Sequence, residues 1–239
     1  MDHLILRLLL LLVISKGVSG ATFTFVNSCD YTVWPGILER PDSPRLNSTG
    51  FELPRQTSRT FQAPTRWSGR FWGRTGCNFN ASGSWSCQTG DCGSGTVECN
   101  GTGPPATLAE FTLGGVGGQD FYDVSLVDGF NLPVIVEGTG GSGQCPWTGC
   151  STDLNLQCPA ELQSGNGSAC NTACQVFRSA DYCCFAPYGS PSTCRQSVYS
   201  EIFKAACPKS YSYAYDDFKD TLQCTNGADY TVTFCPSSR

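Results

Sequence analysis

Along most of this chain apolar residues recur at every second position, the period of strands that bury one face and wet the other. Residues 21–26 set Phe23 and Phe25 against Thr22 and Thr24, and residues 229–234 set Tyr230, Val232 and Phe234 against Thr231 and Thr233. Strands are thus predicted near both ends, with Cys29 and Cys235 beside them. A bond between those cysteines would tie the ends of a sheet and close almost the whole chain, worth about 5 kcal/mol in the chain-entropy model. The helical period is convincing once, over residues 197–206, where Val198, Ile202 and Phe203 form the apolar face and Pro208 stands beyond the end. Residues 108–113 alternate again, with Ala109, Phe111 and Leu113 on one face and Glu110 and Thr112 on the other. Residues 121–126 do the same, Tyr122, Val124 and Leu126 opposing Asp123 and Ser125. The glycine-rich run 114–119 between them reads as a hairpin loop, and symmetrical pairing about it sets Glu110 opposite Asp123. Side chains so opposed have Cβ atoms about 4.5–5.5 Å apart.

The first twenty residues break this pattern. Arg7 leads into an apolar block, Leu8 to Ile14, followed by small residues Gly17, Ser19 and Gly20. The block is far shorter than the roughly 20 residues of a membrane-spanning helix. It reads as a signal peptide over residues 1–20, cleaved before Ala21, with a retained N-terminal membrane anchor as the alternative. Cleavage leaves 219 residues and removes His3, the only histidine. Without an imidazole the mature chain has no Ser-His-Asp or Cys-His nucleophile and no histidine-ligated metal.

All sixteen cysteines lie in that mature part, an even and dense set that in an exported chain reads as eight disulfides. Pairing does not follow from counting. Cys183 and Cys184 have Cα atoms only about 3.8 Å apart, so each is expected to bond elsewhere. A zinc site has only Cys170-x3-Cys174 as an approach to suitable spacing, and an oxidising destination disfavours it. No metal or cofactor is expected. Sequons at Asn47, Asn80, Asn100 and Asn166 agree with passage through a secretory pathway. Fifteen basic against twenty acidic residues, the Lys and Arg scattered, argue against nucleic acid or an anionic membrane as partner.

Function is sought where the carboxylates point. Glu110 and Asp123 both avoid the apolar face, and like charges at that range push one pKa upward, so that one acid can hold a proton while the other stays ionised. A glycosidase uses such a pair. The ordinary alternative is a surface cluster in which a neighbouring Arg pairs the acids with no further duty, and pattern alone favours it.

The run Gly83-Ser84-Trp85-Ser86-Cys87-Gln88-Thr89-Gly90-Asp91-Cys92, continuing to Cys99, resembles the signature of the plant thaumatin-like family, with Trp85 standing where the family usually has Gly or Phe. Further similar stretches are Arg74-Thr75-Gly76-Cys77, residues 104–111, residues 120–125, Cys183-Cys184 and residues 232–236, so the resemblance covers the mature chain. It implies a mainly β protein: a flattened antiparallel β-sandwich core (21–74 with 107–151 and 209–239), a small two-disulfide loop region (75–106) and a disulfide-rich region with helices (152–208). The implied pairs are Cys29 with Cys235, Cys77 with Cys87, Cys92 with Cys99, Cys145 with Cys224, Cys150 with Cys207, Cys158 with Cys170, Cys174 with Cys183 and Cys184 with Cys194.

Many defence members of that family are similar in carrying an acidic cleft of one Arg, one Glu and three Asp. The resemblance puts Arg74, Glu110, Asp123 and Asp128 on those positions, with Asp216 or neighbouring Asp217 as the fifth. It implies a secreted, apoplastic, monomeric antifungal protein that binds β-1,3-glucan or another fungal cell-wall polysaccharide, without a membrane anchor. A weak endo-β-1,3-glucanase is the second reading, with Glu110 protonating the leaving oxygen and Asp123 or Asp128 as base or nucleophile. An inhibitor of foreign hydrolases, acting through surface loops, is the third.

Overall fold

The period-two segments form two stacked five-stranded sheets, as half-apolar strands must to hide one face each. The structure, a computed structural model, describes residues 20–80, 83–141, 145–216, 222–225 and 228–237; Asp217 and residues 1–19 of the expected signal peptide lie outside them. We number the strands of the two sheets β1 (Thr22–Asn27), β2 (Trp34–Glu39), β3 (Ser58–Gln62), β4 (Ser68–Arg74), β5 (Leu108–Thr112), β6 (Gln119–Ser125), β7 (Val134–Thr139), β8 (Thr148–Cys150), β9 (Leu222–Thr225) and β10 (Asp229–Phe234). The first sheet has the order β8-β7-β10-β1-β3 and the second β9-β6-β5-β4-β2. Every pairing is antiparallel except that of β1 with β10. Those two strands run side by side in the same direction, Asn27 opposite Phe234, so the cysteines just downstream of each, Cys29 and Cys235, meet and bond.

Between the sheets lies a core dominated by rings. Phe23 sits at its centre, 4.8 to 5.7 Å from Trp67, Phe71, Phe111 and Tyr230. Such pairs add about 0.5–1.5 kcal/mol each beyond their area. This packing fixes which face of the second sheet is turned out: Phe71, Ala109, Phe111, Tyr122 and Val124 all point inward.

The helices lie outside the sandwich: α1 (Ala173–Phe177), α2 (Ala180–Cys183) and α3 (Val198–Ala206). Ser197 caps α3 reciprocally, its Oγ accepting from Ser200 N and its own N donating to Ser200 Oγ. The apolar stripe is not the expected one. Val198 is 65% exposed, while Tyr199, Ile202, Phe203 and Ala206 pack on Leu126, Phe130, Leu154 and Leu162. A helical period of 3.6 starting at Tyr199 puts those four on one side and leaves Val198 off it. Cystines Cys150–Cys207 and Cys158–Cys170 belong to this second cluster. The remaining described pairs are Cys77–Cys87, Cys92–Cys99, Cys145–Cys224, Cys174–Cys183 and Cys184–Cys194, and no described cysteine is free.

Candidate functional site

The outward face of the second sheet carries its side chains in rows across the strands. One row runs Gly36, Trp72, Leu108, Ser125 and the next runs Leu38, Arg70, Glu110, Asp123. Residues from the 75–106 segment cover the first. Trp72 and Leu108 are buried with Cys99 and Ala106, and Trp72 Nε1 donates to Gly90 O at 2.8 Å. The ring lies so close over Gly36 that a Cβ there would fall 2.4 Å from it. In the second row Leu38 packs against the same cluster, while Arg70 and Glu110 stay about a third exposed.

Arg70, Glu110 and Asp123 line a groove of about 390 Å³ together with Asp128, Asp216, Tyr211, Tyr213 and Ala214. Arg70 faces two acids at once, its Nε 3.8 Å from Glu110 Oε1 and its Nη1 3.6 Å from Asp128 Oδ2. Both distances exceed a hydrogen bond, so the acids are attracted to the arginine without being closed by it. Asp128 follows β6 in a loop held in place where its carbonyl accepts from Ala106 N at 3.0 Å and from Gln175 Nε2 at 2.9 Å. It joins the 75–106 segment, the sandwich and α1 at one point.

The expected cleft arginine is elsewhere. Arg74, two places beyond Trp72 on β4, is fully buried; its guanidinium donates to the carbonyls of Trp34, Pro35 and Val97 at 2.9, 3.2 and 2.7 Å and stacks over Trp85 at 4.6 Å. Burial pulls its pKa down to about 10, so it remains charged. The correction has a simple cause. Arg70 and Arg74 share the outward face of one strand, and only Arg70 stands in register with Glu110. The departure at Trp85 is also explained, since the indole supplies the ring on which Arg74 rests.

Burial raises both paired acids. Asp123 is pushed up to about 8, by desolvation first and then by the charge of Glu110, against a lowering by Arg40. Its Oδ1 is buried with no hydrogen-bond partner, as suits a carboxyl that keeps its proton. Glu110 is raised as well, by burial first, but Arg70 and Arg40 pull it down while Asp128 pushes it up. Burial and the neighbouring Glu110 charge thus favour a proton on Asp123, while two guanidinium groups favour the ionised form of Glu110. The glucanase reading that the resemblance implies gives the donated proton to Glu110; burial favours Asp123 for it.

Asp216 lies at the edge of the same groove but is engaged internally. Its Oδ2 accepts from Ser212 N and Oγ at 2.8 and 2.9 Å and lies 3.2 Å from Lys204 Nζ of α3. Tyr211 is strapped to β6 by Leu126 N to Tyr211 O at 2.8 Å and Tyr211 N to Val124 O at 2.9 Å. Asp216 thus holds the Tyr211–Tyr213 wall. Sequence reading missed Arg70, Arg40, Tyr211 and Tyr213. For Arg70 the signal existed, an outward position on a period-two strand, but its value depended on knowing that β4 neighbours β5. Among the described residues no group of His, Cys, Asp or Glu is arranged to hold a metal ion. The asparagines of all four sequons are exposed.

Residues 27–236 match the model of the Thaumatin family. The chain is 61% identical over 230 residues to Thaumatin-like protein 1 of Arabidopsis thaliana, with 92% of this chain and 88% of that one covered. It is 51% identical over 238 residues to a Prunus avium protein named glucan endo-1,3-beta-glucosidase, covering 97% of each. Pathogenesis-related protein 5 of Arabidopsis thaliana is 51% identical, with 97% and 98% covered. Among solved structures, a thaumatin-like xylanase inhibitor superposes with a TM-score of 0.50 at 24% identity over 90% of this chain and 99% of that one, a likeness of fold. Two stacked sheets, a cystine-rich helical region and a family match from strand β1 to the last cystine lead to one assignment: the chain belongs to the thaumatin family.

Proposed function

We propose that this is an exported plant defence protein that holds a strand of β-1,3-glucan in the groove of Arg70, Glu110, Asp123 and Asp128. The observation carrying the reading is that Glu110 and Asp128 face open space across an arginine 3.6 to 3.8 Å away. A surface ion-pair cluster would close those contacts, whereas sugar hydroxyls donate to carboxylates and would complete them. Export is supported by eight cystines and by the pathogenesis-related and thaumatin-like names of the relatives. Among the described residues no helix is long and apolar enough to cross a membrane. The test is retention on insoluble β-1,3-glucan. Wild type should be retained, and Glu110→Gln and Asp128→Asn should each bind roughly ten- to a hundredfold more weakly, the worth of one hydrogen bond to a charged group. Equal retention of both variants would refute the reading.

One observation favours hydrolysis as a second activity of the groove, namely the buried carboxyl of Asp123, raised toward its protonated form, directly opposite Glu110. In that reading Asp123 passes its proton to the glycosidic oxygen as the bond breaks, and Glu110 or Asp128 takes a proton from the water whose oxygen bonds to the anomeric carbon. The relative named glucan endo-1,3-beta-glucosidase supports it. Reducing ends released from laminarin by wild type and absent with Asp123→Asn would establish it, and no release by wild type would exclude it.

A further inference from the structure

The acidic groove does not end at its carboxylates. On one side it shares Arg70, Glu110 and Asp123 with a hollow of about 170 Å³ reaching Arg40 and Thr112. On the other it shares Val127, Asp128, Tyr213 and Ala214 with a hollow of about 240 Å³ set among α1, α2 and α3. The carboxylates therefore stand between two hollows that share walls with the groove. A site for a chain end would be walled on one side, while hollows on both sides of the acids fit an internal segment of polymer.

The two flanks differ in chemistry. The first is charged, with Arg40 and Arg70 on its wall. The second is lined by the rings of Tyr182, Phe185, Tyr199 and Tyr213, with hydroxyls of Thr172 and Ser197, and Asp128 is its one charged residue. Tyr182 and Tyr199 meet edge to face at 5.8 Å, which braces both rings. Phe185 is 65% exposed, an apolar ring left to water at the mouth of a hollow. A pyranose has an apolar C–H face and a rim of hydroxyls, and it matches a wall of braced rings with hydroxyls at the edge. An anionic sugar does not match, because the wall offers it no cation and Asp128 would repel it.

We infer that the ring-lined hollow between α1, α2 and α3 is a sugar subsite, taking an uncharged pyranose of the same strand whose neighbouring units lie over Glu110 and Asp128. The inference rests on the glucan reading of the groove. It gives the bound strand a direction, with the aromatic flank at one end and the arginine flank at the other, and it assigns the helical region a part in recognition.

The test is calorimetric titration of the full mature protein with the β-1,3-linked glucose hexasaccharide, using wild type, Phe185→Ala, Tyr182→Ala and Glu110→Gln. Phe185 is exposed and its replacement leaves the core intact; circular dichroism checks the folding of Tyr182→Ala. The subsite predicts that Phe185→Ala and Tyr182→Ala each bind about three- to tenfold more weakly, the worth of one ring contact. If Phe185→Ala and folded Tyr182→Ala equal wild type while Glu110→Gln is weaker, the subsite is wrong and the groove reading survives. If wild type binds no hexasaccharide, or Glu110→Gln equals wild type, the groove reading fails and the subsite falls with it.

Discussion

The outward face of the second sheet is one surface with two fates. At the Trp72 and Arg74 end, residues from the 75–106 segment cover it, and the arginine is spent on three backbone carbonyls and an indole. One row along, Arg70 and Glu110 keep about a third of their side chains exposed, Asp123 lies deeper beside them, and the arginine faces two acids across a groove. Both arginines sit on the same strand with the same alternation. What lies over a residue, more than its type or its period, decides whether its charge serves the fold or is left for a ligand.

The largest effect that would sharpen this contrast is a pH dependence. Asp123 has a folded pKa of about 8, far above the roughly 3.9 of an unfolded aspartate. Between those values the folded state keeps a proton that the unfolded state has released. Stability should therefore fall as pH rises from about 4 to about 8, by up to about 1.4 kcal/mol per pH unit, and then level off. Asp123→Asn cannot ionise, so in urea denaturation its advantage over wild type should widen across that window. Parallel pH profiles would break the claim that Asp123 is held protonated.

Next in size is the covered arginine. Arg74→Met removes the donor to three buried carbonyls, and a loss of about 3 kcal/mol is expected in denaturation, with glucan retention unchanged wherever the protein is folded. A loss below about 0.5 kcal/mol would show that the guanidinium is not needed there. The smallest effect belongs to the open arginine. Arg70→Met, whose partners are half exposed and beyond hydrogen-bond distance, should change stability by no more than about 0.5 kcal/mol. It should also raise the pKa of Glu110 further, seen as a shift of that carboxyl's titration to higher pH. A large destabilisation by Arg70→Met would erase the difference between the two ends.

Much of this was legible before the fold was known, and the limits are instructive. Alternation located Phe23, Phe25, Phe111, Tyr122 and Tyr230 in the core, and the glycine-rich turn set Glu110 opposite Asp123. Local periodicity carries such facts because each concerns one strand or one hairpin. The choice between Arg70 and Arg74 depends on which strand lies beside β5 and which loop returns over it, and neither is encoded within a strand. The stripe of α3 was misplaced for a related reason. Val198 has the right residue type, but the neighbours that would bury it are absent on that side. The duty of Asp216 as a brace for the Tyr211–Tyr213 wall depends on Lys204 in a helix twelve residues earlier. The protonation order of Glu110 and Asp123 needed Arg70 and Arg40, which only the fold brings near.

The central claim is that the open row, and not the covered one, meets the ligand. Carboxyl carbon resonances of ¹³C-labelled protein, followed while the β-1,3-linked hexasaccharide is added, test it most directly. Glu98 is the internal reference, since at the covered end it already accepts from Thr49 Oγ1 at 2.8 Å and Ser48 Oγ at 3.0 Å. The account predicts saturable shifts of Glu110, Asp123 and Asp128 with Glu98 unmoved. Binding that leaves those three resonances in place, or that moves Glu98 instead, would contradict it.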